Sequence, residues 1–326
     1  MLYLTSDDIK KVCTMRDAIE SDREAFLIQN EGGAELPTRT NFHVTANSIT
    51  SFMPAFLKGP RQAGIKIVST YPDNMKLNKP SISATVILTS PESGEVCAIM
   101  DGTELTRMRT GGVSGLASEL LSNPDAKIAA LFGTGGQSLS QMEAVLSVRK
   151  IEEYRIYDQS AERMSDFIER ASALAERYGV KLIAAKSSEA AASGADIITT
   201  VTTSAVPVFD GNCVKDGVHI NAVGVFLPEK RELDEVVLHR ASRIFVDNKE
   251  AVLAEAGDFL IPHKAGRFSL SSIDGELGAL ANGDLKGRAS ASEITIMKTV
   301  GFATLDIVFA SKIYEKAAAA GIGLEL

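Results

Sequence analysis

Hydrophobic and polar positions follow two rhythms along this chain. Between Met15 and Gln29, Ala18, Ile19, Asp22, Ala25, Phe26 and Gln29 recur at helical spacing, which predicts an amphipathic helix. Short strand-like runs follow at Ser48 to Phe52, Gly64 to Thr70, Ser83 to Thr89 and Val96 to Asp101. The stretch from Ser90 to Gly94 has turn chemistry. These runs predict an antiparallel or mixed sheet, after which Thr103 to Leu121 reads as a helix. The rhythm changes at Asn123-Pro124. From there strands at 127–132, 153–157, 180–184, 196–201 and 218–223 are interleaved with helices at 139–148, 161–178 and 188–192. Strand and helix in alternation predict a doubly wound parallel sheet with right-handed crossovers. A last helix, 303–320, has no strand to feed and is expected to return to the first domain. The reading is therefore α/β, with a wound domain over 123–302 and a discontinuous α+β domain made of 1–122 and 303–326.

Composition narrows the function classes. The chain has 326 residues, 45% hydrophobic and 23% charged, as ordinary globular proteins do. Its 34 basic and 42 acidic side chains leave a formal charge of −8, a poor match to a nucleic-acid backbone. Cys13, Cys97 and Cys213 are widely spaced, with no CxxC and no Cys/His cluster of metal spacing. Reduced thiols, no basic-then-apolar leader and no 18-residue apolar run point to a cytoplasmic protein without metal, membrane or nucleic-acid partners. The four histidines are isolated, and GxSxG, HExxH and GK[ST] motifs are lacking.

One turn carries candidate cofactor chemistry. Gly133-Thr134-Gly135-Gly136-Gln137-Ser138 follows a predicted strand and opens a helix. Gly133 permits a tight turn, and Gly135 permits close approach of a pyrophosphate. The helix amino terminus offers N–H groups to that anion, and Ser138 stands where a third small residue allows helix–strand packing. Asp158 follows 20 residues later, at the end of the next strand, placed to accept hydrogen bonds from a ribose diol. Gln159 and Ser160 come after it rather than an arginine, which favours NAD over NADP, with NADP still open. Thr202, Val223 and Gly224, at the ends of later strands, are further candidates for this site.

Three cations in the first part stand out. Arg39 follows Pro37-Thr38, Lys66 lies in the strand-like Gly-Ile-Lys-Ile-Val-Ser, and Arg109 lies on the helix in Leu-Thr-Arg-Met-Arg-Thr. In a two-residue period Lys66 points opposite to Ile65 and Ile67, toward solvent or a polar cleft. Each alone reads as a surface charge. Together they would hold a carboxylate, with arginine giving a two-pronged contact. His219, inside a predicted strand, reads as structural.

These stretches, with Met53-Pro54-Ala55, Tyr71 to Asn74, Ala98 to Gly102, His219 to Gly224, Arg231 to Asp234 and Glu293 through Asp306, resemble the ornithine cyclodeaminase/mu-crystallin family, in the same order over nearly the whole chain. The resemblance implies a homodimer, a first domain that binds substrate and pools its sheet with the partner's, and a second Rossmann domain. It implies hydride transfer between a nicotinamide and the α-carbon of an amino or imino acid, with Arg39, Lys66 and Arg109 on the substrate carboxylate. Phe226 stands where ornithine-cyclising members carry an aspartate, and Ser51 where they carry a glutamate. Both departures argue against a diamine. Phe226 then becomes an apolar substrate contact, and Lys66 the candidate proton relay. The expectation is NAD(P)H-dependent reduction of a cyclic imino acid such as pyrroline-2-carboxylate. Oxidative deamination of an alanine-like amino acid, ornithine cyclodeamination and a non-catalytic cofactor-binding protein are the alternatives.

Overall fold

The computed structural model describes residues 1–77 and 79–326. Its helices are α1 (Ser6–Val12), α2 (Met15–Asn30), α3 (Gly102–Leu121), α4 (Ser138–Val148), α5 (Ala161–Tyr178), α6 (Ser188–Ala192), α7 (Glu235–Arg240), α8 (Lys249–Glu255), α9 (Gly257–Lys264), α10 (Leu277–Asn282) and α11 (Ala303–Ala320). Its strands are β1 (Leu2–Leu4), β2 (Ala34–Glu35), β3 (Thr40–Thr45), β4 (Ser48–Leu57), β5 (Gln62–Thr70), β6 (Ile82–Thr89), β7 (Val96–Asp101), β8 (Ile128–Phe132), β9 (Glu153–Tyr157), β10 (Lys181–Ala184), β11 (Ile197–Thr200), β12 (His219–Ala222), β13 (Arg243–Val246), β14 (Gly275–Glu276), β15 (Thr295–Lys298) and β16 (Leu324–Glu325). No described helix is long and apolar enough to cross a membrane.

The chain divides into two compact units, Met1–Arg109 with Phe302–Leu326, and Thr110–Gly301. The first passage between them falls inside α3 rather than at residue 122, because the helix runs unbroken from one unit into the other.

In the first unit the sheet order is β16-β1-β7-β6-β5-β4-β2, with β3 also on β4. Pairing is antiparallel except between β1 and β7. One face, with Met53, Ala55, Leu57, Val86, Leu88, Ala98 and Met100 buried on it, is covered by α11, and α2 packs on α11. Gly64 on β5 lets α11 approach: a Cβ there would stand 2.8 Å from Ile307 Cδ1 and 2.8 Å from the Ile87 carbonyl oxygen. The helices α2 and α11 run antiparallel. Phe26 meets Phe302 edge-to-face at 5.5 Å, and at the other end Asp17 pairs with Lys316 at 2.6 Å.

In the second unit every strand pair is parallel, in the order β10-β9-β8-β11-β12-β15-β13-β14. Alternate residues feed two cores. Ala130, Phe132, Ile198 and Ile220 enter one, and Ala129, Leu131, Tyr154 and Ile197 the other. Helix α5 is capped by the Ser160 hydroxyl and closed by Gly179 at φ 64°, and it buries Phe167, Ala171, Leu174 and Ala175. This is the Rossmann-like wound sheet, accompanied by a second mixed α+β unit.

Candidate active site

In the first unit β5 carries Lys66 on its buried face, in register with Met53 on β4 and Val86 on β6. Of the two directions the sequence leaves open for Lys66, solvent or a polar cleft, the structure shows the second: the lysine is buried against polar partners, while Ile65 and Ile67 are half-exposed on the other face. The ammonium is satisfied because α11 supplies Asp306, whose Oδ2 lies 2.6 Å from Lys66 Nζ. The same carboxylate accepts a hydrogen bond from Arg109 Nε at 3.0 Å through Oδ1. Arg109 is positioned by the start of α3, where Gly102 packs so closely on β6 that a Cβ would stand 2.8 Å from the Ala84 carbonyl carbon. There the Thr103 hydroxyl also accepts from Ala84 N–H. Arg39, half-buried between β2 and β3, adds its charge at Lys66. The structure thus brings Lys66 and Arg109 onto one carboxylate, with Arg39 within electrostatic reach.

Burial pushes the Lys66 ammonium down to about 8. Asp306 opposes that shift, and Arg109 and Arg39 reinforce it. A second carboxyl, Asp22 on α2, is fully buried, and neither oxygen has a hydrogen-bond partner. The Phe26–Phe302 and Asp17–Lys316 contacts bracket it and place it beside Asp306. Burial drives its pKa well above the usual carboxylate range, although Arg109 pulls the other way. Burial thus favours the protonated form of Asp22. Asp306 and Asp22 were not singled out as site residues from sequence, although Asp22 lies on the stripe that also carries Ala18, Ile19, Ala25 and Phe26.

In the second unit Gly133 closes β8 at φ 97°, and a Cβ there would stand 2.9 Å from the Val201 carbonyl oxygen. Gly135 has open space around it, and Gly135 and Gly136 are exposed. The Ser138 hydroxyl donates to the Gly133 carbonyl at 2.9 Å, which pins the turn. Helix α4 is preceded by Gln137 without a side-chain cap; the Ser138 N–H donates to the Gly135 carbonyl at 3.2 Å, and the next N–H groups of the first turn remain available to an anion. Asp158 lies at the end of β9. Its Oδ2 accepts from the Thr134 amide at 3.1 Å and hydroxyl at 2.8 Å, and its Oδ1 from the Ser160 amide at 2.9 Å and Arg163 Nη2 at 2.7 Å. Burial opposes its ionisation, but these donors hold its pKa below the usual range. An arginine thus does reach Asp158, from α5 rather than from the adjoining residues. The geometry fits a dinucleotide: a glycine turn that a side chain would fill, an uncapped helix start and an ionised acid.

Thr202, Val223 and Gly224 follow β11 and β12. Gly224 lies so close to Thr202 that a side chain cannot be accommodated. Glu232 ties these loops together, accepting from Thr202 N–H at 2.6 Å and Gly224 N–H at 2.8 Å. Asp258 accepts from the amides of Glu232 and Leu233, and Lys298 bridges Asp258 to the Val225 carbonyl. This buried network escaped the sequence reading, although Glu232 sits in the quoted Arg-Glu-Leu-Asp stretch. Phe226, one residue beyond Val225, is 46% exposed. His219 is buried neutral: burial lowers its pKa to about 3, and it is held between Thr295 and Asn221.

The model of the ornithine cyclodeaminase/mu-crystallin family matches residues 1–321. The chain belongs to this family. A Delta(1)-pyrroline-2-carboxylate reductase of Bacillus cereus is 37% identical over 327 residues, covering 99% of this chain and 98% of that protein. An alanine dehydrogenase of Archaeoglobus fulgidus is 31% identical over 325 residues, covering 100% and 98%. Among solved structures, the Thermococcus litoralis Delta(1)-pyrroline-2-carboxylate reductase in complex with NADH and L-proline superposes with a TM-score of 0.95 at 37% identity, covering 100% of both chains. The ornithine cyclodeaminase/mu-crystallin relationship therefore spans both units, so neither the cationic cluster nor the glycine turn lies outside the matched region.

Proposed function

We propose that this chain is an NAD(P)H-dependent oxidoreductase that reduces a cyclic imino acid of the pyrroline-2-carboxylate class to the cyclic amino acid. One observation carries the substrate assignment. Two buried cations, Lys66 and Arg109, share a single carboxylate, Asp306, with Arg39 in electrostatic reach. The cations outnumber the carboxylate that pairs with them, and in a dry setting an organic carboxylate is the natural ligand for the surplus. The full-length similarity to pyrroline-2-carboxylate reductases supports the same reading.

Lys66 and Arg109, with Arg39, hold the substrate carboxylate and so fix C2 of the ring. The bound nicotinamide supplies the hydride. When C2 accepts it, the C=N electron pair passes to nitrogen and the imine becomes a secondary amine, which takes a proton. Near-attack geometry requires the reacting carbons within about 3–3.5 Å. With a pKa of about 8, Lys66 is protonated at neutral pH and is the group suited to relay that proton. Gly133, Gly135, Gly136, Gln137, Ser138 and Asp158 would hold the dinucleotide, with Thr202, Val223 and Gly224 as further contacts. Phe226 offers an apolar ring and no proton acceptor, which suits an imine better than a diamine. The outer face of the first sheet exposes Phe42 and Val44 beside half-buried Phe52, Ile65, Ile67 and Ile87, an apolar surface suited to a second copy in a homodimer. Three unpaired cysteines suit a reducing cytoplasm.

Steady-state assays with Delta(1)-pyrroline-2-carboxylate, alanine and ornithine test the assignment. Rapid NADH oxidation with the imine is expected, with slow or absent turnover of the other two. Ammonia release from ornithine at a comparable rate overturns it.

A further inference from the structure

One acid of the first unit is buried without a bond to hold it there. Asp22, on α2, is fully buried, and neither carboxyl oxygen has a hydrogen-bond partner among the described residues. Such a group costs stability, so folding alone does not account for it. The helix pair sets its place. Asp22 stands one turn before Phe26 and Asp306 one turn after Phe302, and the two rings meet at 5.5 Å across antiparallel α2 and α11. The two acids therefore share one level. Asp306 is the carboxylate that Lys66 approaches to 2.6 Å and Arg109 to 3.0 Å. The charges that act on Asp22 are Arg109 from α3, which favours its ionisation, and Asp306 from α11, which opposes it. Lys316, also on α11, is taken by Asp17 at 2.6 Å. Asp22 thus stands in the field of the cationic cluster without a bond to any of its members.

We infer that Asp22 is a positioning residue that stores a proton for this cluster: it takes one up when an organic anion binds at Lys66 and Arg109, and releases it when the anion leaves. The inference rests on the reading of Lys66 and Arg109 as a carboxylate clamp. An ionised Asp22 is a second acid that competes with the incoming anion for the field of Arg109. A protonated Asp22 leaves that field to the ligand. Linkage runs both ways, so a bound anion makes the proton on Asp22 harder to lose. Burial works in the same direction, because it disfavours the charged form. The coupling suits the proposed chemistry. Hydride addition to a neutral imine consumes one proton as the C=N electron pair passes to nitrogen. With Asp22 as the store, the substrate complex forms with a proton already taken onto the protein.

Calorimetry on the full chain with furan-2-carboxylate tests this. The probe stays ionised from pH 5 to 9, and titrations in paired buffers whose ionisation heats differ give the protons taken up per anion bound. Wild type should take up protons on binding. In Asp22→Asn and Asp22→Ala the uptake should fall by up to about one proton, leaving the part centred near pH 8 that belongs to Lys66. At the high-pH end both variants should bind the probe more tightly than wild type, by up to about tenfold for each unit of coupling. One variant keeps the shape of the side chain and the other does not, so the same change in both separates the proton from the packing. Either alone suffices if the other fails to fold. Uptake equal to wild type at every pH overturns the inference. So does weaker binding with uptake unchanged, which would leave Asp22 a packing role only. If wild type does not bind furan-2-carboxylate at all, the clamp reading falls, and the inference with it.

Discussion

Lys66 is a lysine whose charge is conditional. Buried beside Arg109, it loses its proton near pH 8, and below that pH it is available to hold an anion. Binding of a carboxylate should therefore weaken as pH rises above about 8, by up to tenfold per pH unit. The Kd of furan-2-carboxylate, which has no other ionising group in that range, measured from pH 6 to 10, checks this. Asp22 has the opposite sign. Its pKa is raised in the folded chain, so the native state keeps a proton that the unfolded chain releases near pH 4. That contribution is complete at low pH and is lost as pH rises toward the folded value. Asp22→Asn should gain stability relative to wild type between pH 5 and pH 8, by up to about 1.4 kcal/mol per pH unit below the folded value. Urea unfolding at the two pH values measures the difference. Lys66 and Arg109 were legible because cations amid apolar residues demand a reason. Asp306 and Asp22 were not, because helical spacing says which residues share a face but not whether that face is covered.

At the scale of elements, α11 matters most to the cationic cluster. It delivers Asp306 to β5, and it can do so only where Gly64 presents no side chain. In Gly64→Ala the added methyl meets Ile307 and also the Ile87 carbonyl, a backbone atom that no rotamer change can move aside. A loss of about 1–3 kcal/mol in stability is expected, with weaker carboxylate binding as Asp306 is displaced. Thermal unfolding and a ligand titration on the same variant report both. Helices α2, α5 and α11 were readable to within a residue because each is long. The four-residue strands β13 and β15 were missed, as were helices α7 to α10. Such strands, buried on both faces, have no alternation, and helices of six to eight residues complete too few turns to register a period. The chain from 224 to 302 is made largely of these, which is why the Glu232–Asp258–Lys298 network was invisible before the fold.

For the whole molecule, the apolar outer face of the first sheet predicts assembly. Light scattering should give about twice the 34.7 kDa chain mass, and Ile67→Lys, at the centre of that face, should shift it toward the monomer. A monomeric wild type would refute the pairing. The order of the chain has one more consequence. Arg109 and Asp306 are 197 residues apart, and nearly all of the second unit is made between them. At roughly 5–20 residues per second, a ribosome needs about 10–40 s to travel that distance. Throughout this interval the first sheet waits without its closing helix, and its lysine and arginine lack their shared anion. The wound unit can finish folding while the older, amino-terminal half is still incomplete. Maturation thus runs against the direction of synthesis, and nascent chains stalled before Phe302 should yield to protease at the amino-terminal half first.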